Sequence, residues 1–175
     1  MSTLTVKELS HPAGEVLKIS AGKVLDLKSQ GTVTMPTGST IQVVSSTNTT
    51  AQSITATSWV DTNLSVAITP SSTSSKVKIE FSFIGINISL GTAGCSFRVL
   101  RDSTSLFTPV NNFSYFSSAA AGPYYGGYND MVLDSPSTTS EVTYKIQVAG
   151  YNTTAVSLNY NSFFKDTIMA TEIQG

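Results

Sequence analysis

Between Lys76 and Phe83 the chain alternates without a break: Val77, Ile79, Phe81 and Phe83 fall on one side, and Lys76, Lys78, Glu80 and Ser82 on the other. In an extended chain successive side chains point to opposite faces, so this segment is a strand with one buried and one polar face. Val142, Tyr144, Ile146 and Val148 repeat the pattern, with Thr143, Lys145 and Gln147 between them. Leu64, Val66 and Ile68 form a third such strand, and Ile86, Ile88 and Leu90 continue the second-residue spacing past Gly85. No window keeps apolar residues at spacings of three and four, which a buried helix face requires.

Weaker strands are expected near Ile54, at Cys95–Leu100, at Met131–Leu133, at Val156–Tyr160 and at Thr167–Ile173. Turn chemistry separates them: Pro70 to Ser75, Arg101 to Thr104, and Asp134 to Ser140. Ser, Asn and Asp favour such turns because their side chains bond the local backbone. Eight or nine short strands at this spacing predict an all-β fold, an antiparallel jelly-roll-like β-sandwich over residues 49–175. Trp59 is the only tryptophan and is expected to be largely buried. Cys95, the only cysteine, cannot form an intrachain disulfide and reads as a small buried hydrophobe.

Residues 1–48 read as a separate N-terminal arm. Glycines at 14, 22, 31 and 38 each precede a short β-like piece: Val16–Ile19, Val24–Leu27, Val33–Met35 and Ile41–Val44. Pieces this short have no private core and must stack on neighbours or on other chains. The arm is therefore expected either to wind with other copies about one axis or to lie along a partner.

Charged residues are only 12% of the chain, about half the usual share of roughly 25%. Ser and Thr take their place at nearly three residues in ten. The net charge of −1 includes no basic stripe, so nucleic acid is not an expected partner. The apolar runs are too short to cross a bilayer as a helix, and Met1–Val6 has no signal-peptide pattern.

The residue inventory argues against an enzyme. His11, the only histidine, lies in the arm, no G-x-S-x-G elbow is present, and one Cys and one His far apart do not make a metal site. No phosphate-binding or dinucleotide-binding glycine motif occurs. No cofactor or metal is expected. Asp130 and Asp134 are the one acid pair near a cleft-forming loop, and they are weighed for glycoside hydrolysis or Ca²⁺ before being read as turn or solvated acids.

Binding chemistry is richest in residues 111–129, where Phe, Tyr, Gly, Ser and Asn mix without strand or helix period. Rigid rings with polar tips on flexible backbone are what adaptable binding surfaces use. Tyr115, Tyr124, Tyr125 and Tyr128 are candidates to stack on sugar rings, with Asn129 and Asp130 bonding hydroxyls. The alternative is that Phe113, Phe116 and some of the tyrosines fill the core or a subunit interface.

Several segments together resemble small virion proteins of tailed bacteriophages, marine ones especially. Leu4–Leu9 and Ala21–Leu27 resemble their start. Leu64–Ser72 with Ser75–Val77 resembles the first hairpin of their C-terminal domains. Phe97–Asp102, Leu133–Ser140 running into Val142–Lys145, and Ile168–Ile173 resemble later parts, and residues 105–128 are the least familiar. The resemblance implies a short homotrimeric fibre or knob on the particle exterior, attached to tail or capsid proteins by its N-terminus. Its head would bind a host-surface glycan. The competing expectations are a capsid decoration or head-fibre protein with no receptor role, and a polysaccharide depolymerase. Strand edges with few lysines to keep them apart, and an arm without a core, argue independently for self-association. The resemblance favours three copies over two.

Overall fold

The computed structural model describes residue 21 and residues 35–88, 93–107, 114–116, 124–151 and 155–175, the side chains of 93, 114–116 and 124 excepted. The chain divides into two units, Met1–Thr34 and Met35–Gly175. The second is an antiparallel β-sandwich. Its strands are β1 (Thr40–Asn48), β2 (Gln52–Ile54), β3 (Val60–Ile68), β4 (Lys76–Ile88), β5 (Ala93–Arg101), β6 (Thr104–Phe107), β7 (Ser114–Phe116), β8 (Tyr124–Asp134), β9 (Val142–Gly150), β10 (Val156–Leu158) and β11 (Asp166–Ile173). Sheet A runs β1-β11-β4-β10-β2, with β8 also paired to β4, and sheet B runs β3-β9-β5-β6, with β7 also paired to β5.

The alternating segments form the core as expected. Val77, Ile79, Phe81, Phe83, Leu64, Val66, Ile68, Val142, Tyr144, Ile146 and Val148 are all buried between the sheets. Phe83 stacks on Phe97 at 4.8 Å, Phe97 stacks on Tyr128 at 4.9 Å, and Phe81 meets Tyr128 edge-on at 5.7 Å. Cys95 is buried among them, and burial pushes its thiol up to about 12.

In β4 the inward phase changes from odd to even residues, because Ile86 and Ile88 are buried as well. A bulge between Phe83 and Ile86 inserts one residue relative to β8 and makes this switch. Gly85 sits in the bulge because the Phe164 ring covers it, and a Cβ there would collide with the ring.

Two expectations change, and a third holds for a different reason. Thr40–Asn48 is not part of an arm: it pairs with β11 from Thr40↔Ile173 to Asn48↔Asp166, so the boundary moves from residue 48 to 34. Only alternate residues of this strand face the sandwich, and its Ser-Ser-Thr-Asn end carries no apolar signal. The arm pieces up to residue 34 lie outside the described residues. Trp59 is largely covered, as expected, but not by filling the core. The Arg98 guanidinium lies 4.7 Å over its ring on the outer side of sheet B, and the Phe–Tyr stack fills the core in its place. Finally, Asp166 and Glu172 are fully buried, although most acids were expected in turns or on outward strand positions.

Glu172 continues the inward phase of Ile168 and Ala170 and closes the end of the core. Its Oε1 accepts from Ser71 N–H (2.7 Å), Ser71 Oγ (2.6 Å) and Ser75 Oγ (2.7 Å), and its Oε2 accepts from Gln42 Nε2 (2.6 Å). Burial alone would raise this carboxyl, but the hydrogen bonds from Ser71, Ser75 and Gln42 outweigh it and hold it below the ordinary value. Asp166 differs: burial raises it against the lowering pull of Ile84 N–H, which donates to Oδ1, and of Asn48, and Oδ2 has no geometric hydrogen-bond partner among the described residues.

Two outcomes follow for stability. Phe83→Ala should cost about 3–5 kcal/mol in chemical denaturation, because it leaves a cavity in a stacked core. Glu172 has a depressed folded-state value, so its contribution is present above its unfolded value of about 4.3 and is lost as pH falls through the folded one. Glu172→Gln should therefore lower stability at pH 7 by about 1–3 kcal/mol and flatten the decline below pH 4.5. A wild-type acid limb matched by the variant would remove Glu172 as its source.

Candidate functional site

The tyrosine-rich stretch is not one loop. Tyr124–Asn129 is the first half of β8 and pairs with β4, Ile88↔Tyr124 through Ser82↔Asn129. Period-two geometry then splits the expected cluster between two faces. Tyr125 and Asn129 are exposed, while Tyr128 is only 8% exposed and belongs to the core stack. Its hydroxyl donates to Asp130 Oδ2 at 2.8 Å. The sequence hides this because Gly126 and Gly127 interrupt the alternation. The side chains of Tyr115 and Tyr124 lie outside the described residues.

Asp130 and Asp134 both sit on β8, and each accepts from a tyrosine: Tyr128 for Asp130, and Tyr144 for Asp134 at 2.7 Å. Arg101 Nη1 also bonds both oxygens of Asp134, at 3.0 and 2.8 Å. Four residues along a strand set the two acids about 13 Å apart. Inverting glycosidases need about 6.5–9.5 Å and retaining ones less. This pair does not have the spacing for either geometry. Among the described residues no group of three or more His, Cys, Asp or Glu could hold a metal ion.

A second aromatic display was not singled out in the sequence. Residues 159–164 form a tight turn between β10 and β11 in which Asn159, Asn161 and Ser162 all have positive φ (48°, 56° and 57°). Left-handed backbone at non-glycine residues persists only where the surroundings impose it. Here the fully buried Asn159 does so: its Nδ2 donates to Asn48 O and Phe164 O, and its Oδ1 accepts from Phe164 N–H. Ala51 N–H bonds Ser162 Oγ. The turn holds Phe163 in solvent at 77% exposure, the highest of the exposed large hydrophobics among the described residues. Tyr160, in the same turn, meets Tyr125 of β8 edge-on at 5.4 Å. The run Asn-Tyr-Asn-Ser-Phe-Phe has the same mixture of rings and turn formers as 111–129, and that composition was the available signal.

The two outer faces contrast. On sheet B, Lys145 pairs with Asp61 at 2.8 Å, Gln147 donates to Asp61 and accepts from Arg98, and Arg98 caps Trp59. Hydrogen bonds from Lys145 and then Gln147 hold the Asp61 carboxyl below its ordinary value. On sheet A the exposed Lys76 and the Lys78–Glu80 pair stand beside exposed Val43, Met131 and Leu133. A groove of about 390 Å³ along its β8 side is lined by Leu106, Phe107, Asp130, Met131, Val132 and Leu133.

These features define an antiparallel β-sandwich with exposed aromatic and apolar side chains. No family model matches the chain, and no curated protein matches it. Among solved structures it is similar to the VP2 subviral particle of infectious bursal disease virus, with 13% identity over 87% of this chain and 42% of that one and a TM-score of 0.44. The T13 particle of the same virus gives 11% identity over 87% and 40%, with a TM-score of 0.43. The chain spans about two-fifths of the length of these neighbours.

Replacement of the two described tyrosines should separate their roles. Tyr128→Ala is expected to lose about 3–5 kcal/mol of stability as a core truncation. Tyr125→Ala should stay within about 0.5 kcal/mol of wild type, as exposed positions do. Equal losses in thermal or chemical denaturation would contradict this division of the strand.

Proposed function

We propose that this chain is a structural protein of a tailed-bacteriophage particle: a short homotrimeric fibre or knob on the particle exterior. Its N-terminal segment attaches to tail or capsid proteins, and its sandwich meets a glycan on the host surface. The observation that carries the receptor role is the pinned turn 159–164, which holds Phe163 in solvent next to the Tyr125–Tyr160 pair. Rings fixed before contact lose little entropy on binding, and their faces suit the apolar faces of sugars. Exposed Asn161 and Ser162 supply an amide and a hydroxyl in the same turn. The attachment role rests on the arm's short apolar pieces and on the resemblance of Leu4–Leu9 and Ala21–Leu27 to phage virion proteins. The role is binding without catalysis.

Particles carrying Tyr125→Ala with Phe163→Ala should adsorb to host cells roughly tenfold or more weakly, as loss of anchoring aromatics does. The isolated variant should keep its unfolding midpoint. Normal adsorption would turn the reading toward a capsid decoration protein without a receptor role. Deleting residues 1–30 should leave a folded sandwich that no longer joins particles, and full incorporation of the truncated chain would contradict arm attachment.

A further inference from the structure

We infer that the groove between β6 and β8 is a second saccharide site, one that selects a sugar carrying a positively charged amine. This rests on the host-glycan reading above and names a class of sugar for it. Leu106 and Phe107 of sheet B form one wall, and Asp130 to Leu133 of sheet A form the other. The volume of about 390 Å³ falls within the roughly 300–1,000 Å³ of clefts that hold small ligands. The groove is separate from the turn at 159–164. Asp130 lies about 17 Å along β8 from Tyr125, and on the opposite face of the strand.

Charge chooses the ligand. Asp130 is the one charged side chain among the described residues of the groove, and the others are apolar. Its Oδ2 accepts from the Tyr128 hydroxyl at 2.8 Å and its Oδ1 from Met131 N–H at 2.7 Å. These bonds fix the carboxylate and leave each oxygen able to accept once more. The ion pairs among the described residues are Lys78–Glu80, Arg101–Asp134 and Lys145–Asp61, so Asp130 has no cation of its own there. Apolar walls screen charge less than water does, so a cation entering the groove pairs more strongly than on an open surface. A bare metal ion would need six or more oxygens, whereas an organic cation also covers the carbon walls. Phe107 is 52% exposed, and an aromatic face takes both the apolar face of a sugar and a nearby cation. An amino sugar brings both in one ligand. A lysine side chain brings the charge without a ring face, and an acidic sugar would be repelled by Asp130.

Calorimetry on the full chain tests the inference with short glucosamine oligomers and their N-acetylated counterparts, which share a scaffold and differ in charge. At a mildly acidic pH that keeps the amines charged, the glucosamine oligomer should bind about tenfold or more tightly than the acetylated one. Asp130→Asn should abolish that preference, and Phe107→Ala should weaken binding of both sugars; circular dichroism checks that each variant is folded. Tyr125→Ala with Phe163→Ala should keep the preference, because the turn is a different site. Equal binding of the two sugars, no binding of either, or a folded Asp130→Asn chain that still prefers the amine overturns the inference. So does tighter binding of a lysine oligopeptide, or loss of the preference in the turn variant. Each of these leaves the glycan reading to the adsorption of particles with the altered turn, which is measured independently.

Discussion

Strand β4 is the member on which the whole sandwich depends. It pairs with β8 on one side along both halves, and on the other side with β11 and then β10. Its inward residues include Phe81 and Phe83, which engage Phe97 and Tyr128. One strand therefore sets the register of sheet A and supplies part of the aromatic stack that joins it to sheet B. The bulge at Ile84–Gly85 lets a single long strand serve both purposes: it re-phases the side chains so that Ile86 and Ile88 also face inward. Phe164 covers the bulge, and Ile84 N–H reaches the buried Asp166 carboxylate. The turn that displays Phe163 is thus anchored next to the bulge.

The strands with strict alternation were legible because one-sided burial leaves that signature. Lys76–Phe83, Val142–Val148 and Leu64–Ile68 all took their expected faces. β1 was misassigned because Ser45 to Asn48 offers hydroxyls and an amide where an apolar pattern would identify a strand. Tyr124–Asn129 failed for a related reason, since two adjacent glycines carry no facing information. Trp59 is covered as expected, but by a guanidinium lying over its ring rather than by filling the core. The buried acids were readable in principle. Asp166, Ile168, Ala170 and Glu172 share one phase of β11, and carrying the alternation to both strand ends would have placed the acids inward. Of the candidate binding residues, exposed Tyr125 and Asn129 remain, Tyr128 joins the core, and Tyr160 and Phe163 are added.

The surface chemistry follows from a chain that uses few charges. Hydroxyls and amides supply most of the polarity, and the ion pairs sit in specific places: the Asp61–Lys145–Gln147–Arg98 network on sheet B, the Lys78–Glu80 pair on sheet A and the Arg101–Asp134–Tyr144 cluster at one end. The turn after β10 carries the exposed Phe163.

The central claim is that this chain is a component of the outside of a virus particle. Cryo-electron microscopy of purified particles tests it most directly. The expected map shows threefold density on the exterior into which the sandwich of residues 35–175 fits, with chain leading from it to the particle body. Particles that lack the protein in both the map and their protein composition would contradict the account.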